Sequence, residues 1–224
     1  MLAIIGGTSL FHSNISAYSH KTVYTPYGST QLYFRDNVII LPRHQGRKPP
    51  HVINFCSHMA ALAISGVNTI VSIGSAGSLH TSIPPDSCVL PDDYLSTTPI
   101  PSIFNHSICH IMPEINEDLR ITLSRLIPDA IPKGRYIQVR GPRLETRSEI
   151  AAFASIADLV GMTIASEATL ASELKIPFAA ICTVDNYANG ITDEKMSYDR
   201  IVKHAHENQK KTDEIVNIII KNLS

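Results

Sequence analysis

The sequence lacks a charge excess, closely spaced cysteines and long apolar runs, and each absence excludes a class of protein. Nineteen Lys and Arg residues balance 20 Asp and Glu residues, so no basic excess predicts nucleic-acid binding. The four cysteines stand far apart with no CxxC pair, which favours buried free thiols in a reducing compartment. The sequence contains no run of 18 apolar residues, so it predicts no membrane span. The first residues do not resemble a signal peptide, so we expect a cytoplasmic location.

The length and composition are typical of a globular domain. The chain has 224 residues, of which 44% are apolar. A chain of this size buries most of its apolar surface and needs neither disulfides nor a metal to hold its fold. No internal repeat, low-complexity tract or linker divides it, so we expect a single domain over residues 1–224.

Hydrophobic periodicity predicts strands that alternate with helices. Strands are expected at 2–5, 31–35, 38–42, 69–73, 87–91, 135–139, 158–162 and 178–184. Helices are expected at 51–65, 116–127, 146–156, 165–174 and 197–222, and a long loop at 92–113. This alternation predicts a three-layer α/β fold in which helices flank a central mixed β-sheet.

Small polar residues follow three of the predicted strands in succession. These segments are Gly6 to Ser9, Pro42 to Arg47, and Gly74 to Ser78. Ligands of open α/β sheets bind at the carboxyl ends of strands. Backbone amides, hydroxyls and a guanidinium in such places suit a small oxyanion such as phosphate.

Each of these loops also has an ordinary structural explanation. A Gly-Gly-Thr segment is often only a tight turn, and Arg43 equally suits a surface ion pair. The first loop lacks the third glycine of the dinucleotide fingerprint and the GK[ST] ending of a Walker A loop. Three such loops at successive strand ends nevertheless favour an anion site.

Three further polar clusters follow later strands. Residues 140–146 contain a Gly-Pro turn that places Glu145 near a helix start, where the helix dipole alone also favours an acid. Residues 160–163 end a strand with a hydroxyl, which equally suits a helix cap with Met162 in the core. Residues 184–190 are rich in Asn and Asp, which are common in simple turns.

Together these motifs resemble the trimeric branch of the purine nucleoside phosphorylase and methylthioadenosine phosphorylase family. The resemblance is carried by Ile4 to Thr8, Arg43-His44, Pro50 to Asn54, Gly77 to Leu79, Gly141 to Thr146, Val160 to Thr163, Glu167 to Glu173 and Met196 to Arg200. It implies that inorganic phosphate, as co-substrate, cleaves the bond between ribose and a purine, with no cofactor and no metal. It also implies a homotrimer, or a dimer of trimers.

The resemblance implies roles for the matching positions. Phosphate would be held by Thr8, Arg43, His44, the backbone of Ser75, and Thr163. The ribose would lie over Met162, and the base would contact Leu144, Glu145 and Asn186. The 5′ group would contact Tyr198, Ile201 and Val202, and the neighbouring subunit's site would receive His110. The candidate catalytic residues are Asn186, Glu145 and His44.

The pair formed by Glu145 and Asn186 favours a 6-oxopurine over adenine. A carboxylate accepts a hydrogen bond from N1–H of an oxopurine, and an amide NH₂ donates toward O6 or N7. An aminopurine presents an acceptor at N1 and would leave the carboxylate unpaired. Inosine or guanosine and 5′-methylthioinosine are therefore the expected substrates, and methylthioadenosine is the alternative.

The sequence departs from the family pattern at three places. The segment after His44 is short and has no match for the family's ribose-binding histidine, so Gln45, Arg47 or Lys48 would have to replace it. Gly74 stands where relatives often have Asn or Thr. Residues 164–166 replace a pattern that ends in proline.

Three rival functions stay open at this point. A nucleosidase would use water in place of phosphate, although a hydrolase needs no guanidinium beneath the sugar. A non-catalytic purine-binding protein would explain the missing histidine. A dinucleotide-binding oxidoreductase would account for the Gly6-Gly7 loop alone.

Overall fold

The sheet is built outward from a strand that is buried along its whole length. The computed structural model describes residues 1–7, 18–193 and 209–224. β1 (Leu2–Gly6) is covered on both edges by the parallel strands β4 (Val38–Pro42) and β5 (Thr69–Ser78). Strands buried on both faces need continuous apolar runs, and β1 and β4 have them.

Seven more strands complete the sheet in the described part of the chain. They are β2 (Ser19–Thr25), β3 (Gly28–Arg35), β6 (Cys88–Val89), β7 (Asp93–Ser96), β8 (Arg135–Gln138), β9 (Leu159–Gly161) and β10 (Phe178–Tyr187). The strand order is β2-β3-β4-β1-β5-β9-β8-β7, with β10 pairing to β5 and to β6. Parallel and antiparallel pairs both occur, which confirms the predicted mixed sheet.

Five α-helices flank the sheet in the described ranges. They are α1 (Phe55–Ile64), α2 (Glu117–Leu126), α3 (Arg147–Phe153), α4 (Ile164–Glu173) and α5 (Gln209–Leu223). Asn54, Asn116 and Thr146 cap α1, α2 and α3 with side-chain oxygens, as expected of these residue types. None of the described helices is long and apolar enough to cross a bilayer.

A gap in the pairing of β5 is the feature of the fold that positions the site. β10 pairs with one edge of β5 from Ile70 to Ser78. On the other edge β1 ends opposite Ile73, and β9 joins only at Gly77. Among the described residues, 74–76 therefore have no partner strand on that edge.

β10 contains a bulge opposite the end of this gap. Val184 pairs with Ala76 and Asn186 with Gly77, so Asp185 is an extra residue in β10. Bulges re-aim the side chains that follow them and are frequent near active sites.

Several predicted boundaries were wrong. β2 was not predicted, because five of its seven side chains are exposed and only Val23 is buried. β7 lies inside the predicted loop 92–113. β5 and β10 continue past their predicted ends, through the small polar residues that were expected to form loops. The predicted helix 197–222 is described from Gln209 onward, and its earlier part lies outside the described residues.

The prediction for the cysteines was right in part. All four are free thiols. Cys88 and Cys182 are buried as expected, whereas Cys56 is half-buried and Cys109 is exposed.

Candidate functional site

Arg43, directly after β4, is held by Glu167, a buried acid that is distant in the sequence. Its Nε donates to Glu167 Oε1 at 2.5 Å, and its Nη2 donates to Glu167 Oε2 at 3.0 Å. Nη2 also donates to the Ser72 hydroxyl, and Nη1 donates to the Ile73 carbonyl. Both charged side chains are 2% exposed. The surface ion pair considered for Arg43 is thus an ion pair, but a buried one.

This network changes what Arg43 offers to an anion. A guanidinium has five N–H groups, and four of them are committed here. Burial would lower the pKa of Arg43, but Glu167 outweighs that effect and holds the pKa above its usual value. The planar fork faces Glu167, so Arg43 keeps one Nη1 hydrogen, on the nitrogen that lies beside Gly7.

The first turn of α4 joins Thr163 to Glu167, the partner of Arg43. Thr163 precedes α4, and Glu167 lies one helical turn further on, about 6 Å along the axis. The Thr163 hydroxyl does not cap α4. Instead, the backbone N–H of Thr163 donates to the hydroxyl of Tyr136 at 3.2 Å.

The Tyr136 hydroxyl therefore caps the start of α4. Its hydroxyl also accepts from the backbone of Ile164, and burial raises the pKa of Tyr136, so it stays protonated. A side chain at Gly161 would collide with the Tyr136 ring, whose Cε2 and Cζ lie 2.9 Å from the Cβ position. The Thr163 hydroxyl is left available to a ligand, and Gly161 gives Tyr136 its space.

Two departures from the family pattern are compensated in the structure. The Ile164 side chain packs onto Gly74, where an added Cβ would lie 3.0 Å from Ile164 Cδ1. Ser166 donates its N–H to Gln138 Oε1 and accepts from Gln138 Nε2, and proline in its place would have no N–H to give. Both changes tighten the join between α4 and the sheet.

His44 is half-buried beside Arg43 with a fixed ring. Its Nδ1 lies 2.8 Å from the Lys48 carbonyl, and because a carbonyl only accepts, Nδ1 carries the hydrogen. Burial and the Arg43 charge lower the pKa of His44, although the Lys48 carbonyl opposes this. The neutral ring then presents Nε2 as an acceptor. Gln45, one of the expected replacements for the missing histidine, is paired with the backbone of Gln31 through its amide oxygen and one N–H.

Ser75 lies in the gap of β5. Its hydroxyl donates to the carboxylate of Asp185, the bulged residue of β10. The side chain is therefore committed to Asp185, and contact of the Ser75 backbone with an anion stays a prediction.

Asn186, which is predicted to contact the base, lies near the end of β10. A Cβ at Gly77 would lie 3.5 Å from Nδ2 of Asn186, so the amide lies directly over Gly77. Nδ2 donates to the Tyr187 carbonyl at 2.7 Å, which fixes the orientation of the amide. Asn189 donates to the Glu145 carbonyl at 3.0 Å and so joins the Glu145 loop to the end of β10.

Glu145 is a buried acid and not the helix-terminal acid of α3. That role belongs to Glu149, which forms a capping box with Thr146 and an ion pair with Arg143. Burial raises the pKa of Glu145, with a smaller contribution of the same sign from Glu149. Among the described residues its carboxylate accepts no hydrogen bond from another side chain, which suits it to a ligand's N–H.

Met162 and Leu144 belong to two loops that touch each other at Gly141. The Met162 thioether packs against Gly141, where a side chain would meet Met162 Cε at 3.2 Å. Leu144 is half-buried and precedes Glu145. The contacts of Met162 with a ribose and of Leu144 with a base stay predictions.

The structure brings the two ends together along one strand. Arg43 lies near Ile73 and Asn186 lies over Gly77, so they are four residues apart along β5, about 13 Å. The gap of β5 lies between them. His110 is exposed, while Thr8, Tyr198, Ile201 and Val202 lie outside the described residues.

Several residues of the site were missed in the sequence. Tyr136 and Ser72 gave no local signal, because each acts through a partner distant in sequence. Asn189 belongs to the polar segment 184–190, but its bond to the Glu145 loop was not predicted. Glu167 was quoted only as part of a motif, although an acid inside the apolar start of α4 implies a buried cation. In the described ranges no three His, Cys, Asp or Glu residues converge as a metal site would require.

Comparison with known proteins gives concordant matches. A family model described as "Phosphorylase superfamily" matches residues 2–221. A probable 6-oxopurine nucleoside phosphorylase of Archaeoglobus fulgidus is 39% identical over 99% of this chain and 96% of its own length. A probable S-methyl-5′-thioinosine phosphorylase of Methanothermobacter thermautotrophicus is 34% identical over 100% of this chain and 84% of its own length.

A solved structure shows the same fold. The methylthioadenosine phosphorylase of Schistosoma mansoni superposes with a TM-score of 0.88 at 21% identity, covering 98% of this chain and 90% of that one. The family resemblance read from the motifs is confirmed by these matches.

Proposed function

The chain belongs to the phosphorylase superfamily, and on that premise we propose that it cleaves purine nucleosides with inorganic phosphate. The products are the free base and ribose 1-phosphate, or its 5-methylthio form. The observation that carries the proposal is the pairing of Glu145 and Asn186 at one end of the β5 gap with Arg43, His44 and Thr163 at the other.

The anion end supports phosphate binding through several weak donors. Arg43 contributes one N–H, Thr163 its hydroxyl, and the gap residues 74–76 those backbone amides that face the gap and not β10. The start of α4 adds the favourable end of a helix dipole. The Nε2 atom of His44 accepts a hydrogen bond from the P–OH group of the phosphate monoanion.

The purine end supports a preference for 6-oxopurines. The Glu145 carboxylate would accept the N1–H of hypoxanthine or guanine, and the Asn186 amide would donate toward O6 or N7 as negative charge builds on the leaving base. The sugar passes through an oxocarbenium-like state, which phosphate then attacks at C1′. The scheme uses placement and electrostatics, with no covalent intermediate and no cofactor.

Phosphate-dependent base release tests this proposal. We expect inosine and guanosine, or 5′-methylthioinosine, to be cleaved faster than adenosine and methylthioadenosine when phosphate is present, with ribose 1-phosphate as product. Equal rates with and without phosphate would identify a nucleosidase instead. A faster reaction with methylthioadenosine would favour the alternative substrate.

We also propose a homotrimer in which His110 reaches the neighbouring site. Residues 102–103 are anchored to α4 by Glu173. Beyond them the chain presents Ile108 at 94% exposure and Met112 at 87%. Large apolar side chains so exposed suit contact with another subunit. Analytical ultracentrifugation tests the assembly, with a monomer as the contrary result.

The proposed setting is the cytoplasm. Four free thiols, one of them exposed, suit a reducing compartment.

A further inference from the structure

Two imidazoles that follow the Arg43–His44 segment have a buried ring nitrogen without a hydrogen-bond partner. They are His51 and His58, and in both the atom is Nδ1. Among the described residues no other buried side-chain nitrogen or oxygen is in this condition. Buried polar groups are nearly always paired, so an unpaired one calls for a ligand or a bound water.

His58 occupies the middle of the buried face of α1. Successive residues of a helix are 100° apart, so Ala61 and Leu62 flank His58 on the same face, and both are fully buried. His58 itself is only 7% exposed. An apolar side chain would serve this packing better, because an unpaired polar group is costly to bury.

Arg43, Lys48 and His44 are the charged or titratable groups that act on His58. Burial, together with the charges of Arg43, Lys48 and His44, lowers the pKa of His58 to about 4, so the ring is neutral at neutral pH. None of the three groups named is an acid that would help to bind a metal ion. The neutral ring suits an anion, to which it can donate an N–H.

The Arg43–Glu167 pair explains why the anion end needs such a donor. Glu167 neutralises Arg43 and occupies most of its N–H groups. His44 commits its Nδ1 hydrogen to the Lys48 carbonyl and has only an acceptor left when neutral. Further donors to a phosphate must come from other side chains on this side of the sheet.

We propose that His58 is a further phosphate-binding residue, which donates a ring N–H to an oxygen of inorganic phosphate held beside Arg43 and His44. This inference rests on the proposed function. The proposed role of His58 involves no covalent step. It adds a histidine from α1 to the residues that follow His44 and face the phosphate.

The test compares His58→Leu, His58→Gln and a matched control, His51→Leu. His51 also has a buried Nδ1 without a hydrogen-bond partner, but it precedes α1 and does not belong to that helix. Two quantities are measured for each protein: the KM values for phosphate and inosine, and the rise in Tm that inorganic phosphate gives without nucleoside.

His58→Leu is expected to raise the phosphate KM at least about tenfold, as for a lost hydrogen bond to a charged group, and to leave the inosine KM within about twofold. Its Tm without phosphate should equal or exceed that of the parent protein, because an unpaired polar group is removed. His58→Gln should recover part of the phosphate affinity, and His51→Leu should keep the parent value.

A phosphate KM within about twofold of the parent in His58→Leu overturns the inference, as does an equal rise in both KM values. If His58→Leu does not fold, the phosphate-induced Tm rise of His58→Gln decides, and a rise equal to the parent's overturns it. The Tm measurement needs no turnover. A parent protein that phosphate stabilises but that cleaves no nucleoside would overturn the proposed function and leave His58 to be judged separately.

Discussion

The guanidinium of Arg43 and the carboxylate of Glu167 meet in two hydrogen bonds, Nε to Oε1 at 2.5 Å and Nη2 to Oε2 at 3.0 Å, although 124 positions separate them. The pair joins the end of β4 to the first turn of α4. Buried ion pairs of this kind contribute less to stability than they cost to break, because a lone charge left behind is poorly solvated.

Glu167→Gln should therefore lower the free energy of unfolding by about 3–5 kcal/mol. If Arg43 faces the phosphate, the anion will compensate the unpaired guanidinium, so phosphate should raise the Tm of this variant more than that of the parent. Thermal unfolding with and without inorganic phosphate measures both effects.

Glu173→Gln is the matched control for that prediction. Glu173 lies in the same helix and accepts from Ser102 and Ile103, away from Arg43. Its phosphate-induced Tm rise should match the parent's. An equal rise in Glu167→Gln would mean that Arg43 does not face the phosphate.

Asn186→Asp should shift base preference toward adenine nucleosides. A carboxylate at 186 would lie next to Asp185, and two adjacent acids raise the pKa of one of them, so that a protonated carboxyl is available near N7. The ratio of kcat/KM for inosine to that for adenosine should fall at least about tenfold, equivalent to roughly 1.4 kcal/mol. Asn116→Asp, which keeps a good helix cap on α2, should leave the ratio unchanged.

Tyr136→Phe should weaken phosphate binding through α4. Without the hydroxyl, the N–H groups at the start of α4 lose their acceptor, which costs about 1–3 kcal/mol of stability. Thr163 is then expected to turn its own hydroxyl onto the helix and withdraw it from the site, so the phosphate KM should rise.

Tyr94→Phe separates this effect from a general loss of stability. The Tyr94 hydroxyl also bonds to α4, at Thr169, two turns from the site. We expect a small loss of Tm and an unchanged phosphate KM. A similar rise of the phosphate KM in both variants would argue against the role given to Thr163.

Stability should fall at acid pH because of His58. In the unfolded chain His58 titrates near its ordinary 6.5, and in the folded chain its pKa is about 4, so the unfolded state binds the proton first. The free energy of unfolding is not reduced by His58 above pH 6.5, and it falls by about 3 kcal/mol as the pH falls from 6.5 to 4.

Urea unfolding of the parent and His58→Leu at several pH values measures this. The groups that face His58 are Arg43, Lys48 and His44, and His44 also has a lowered pKa, so some slope should persist in the variant. Identical slopes in the two proteins would contradict the prediction.

The sequence predicted the fold and the position of the candidate site through local patterns. Apolar runs followed by glycine, such as Ile4 to Gly7, indicated where strands end, and ligands of α/β sheets bind there. What it could not predict depends on long-range pairing. Glu167 commits the fork of Arg43 only once α4 is packed, and β2 forms with exposed side chains because β3 lies beside it.

The extra residue in β10 has a consequence for how base preference can change. Side chains alternate along a strand, so a shift of β10 by one residue relative to β5 would turn each side chain after the shift to the other face of the sheet. Asp185 is the immediate neighbour of Asn186. The chain thus carries an acid and an amide side by side, and a one-residue insertion between Val184 and Asp185 would place the acid opposite Gly77 in place of the amide.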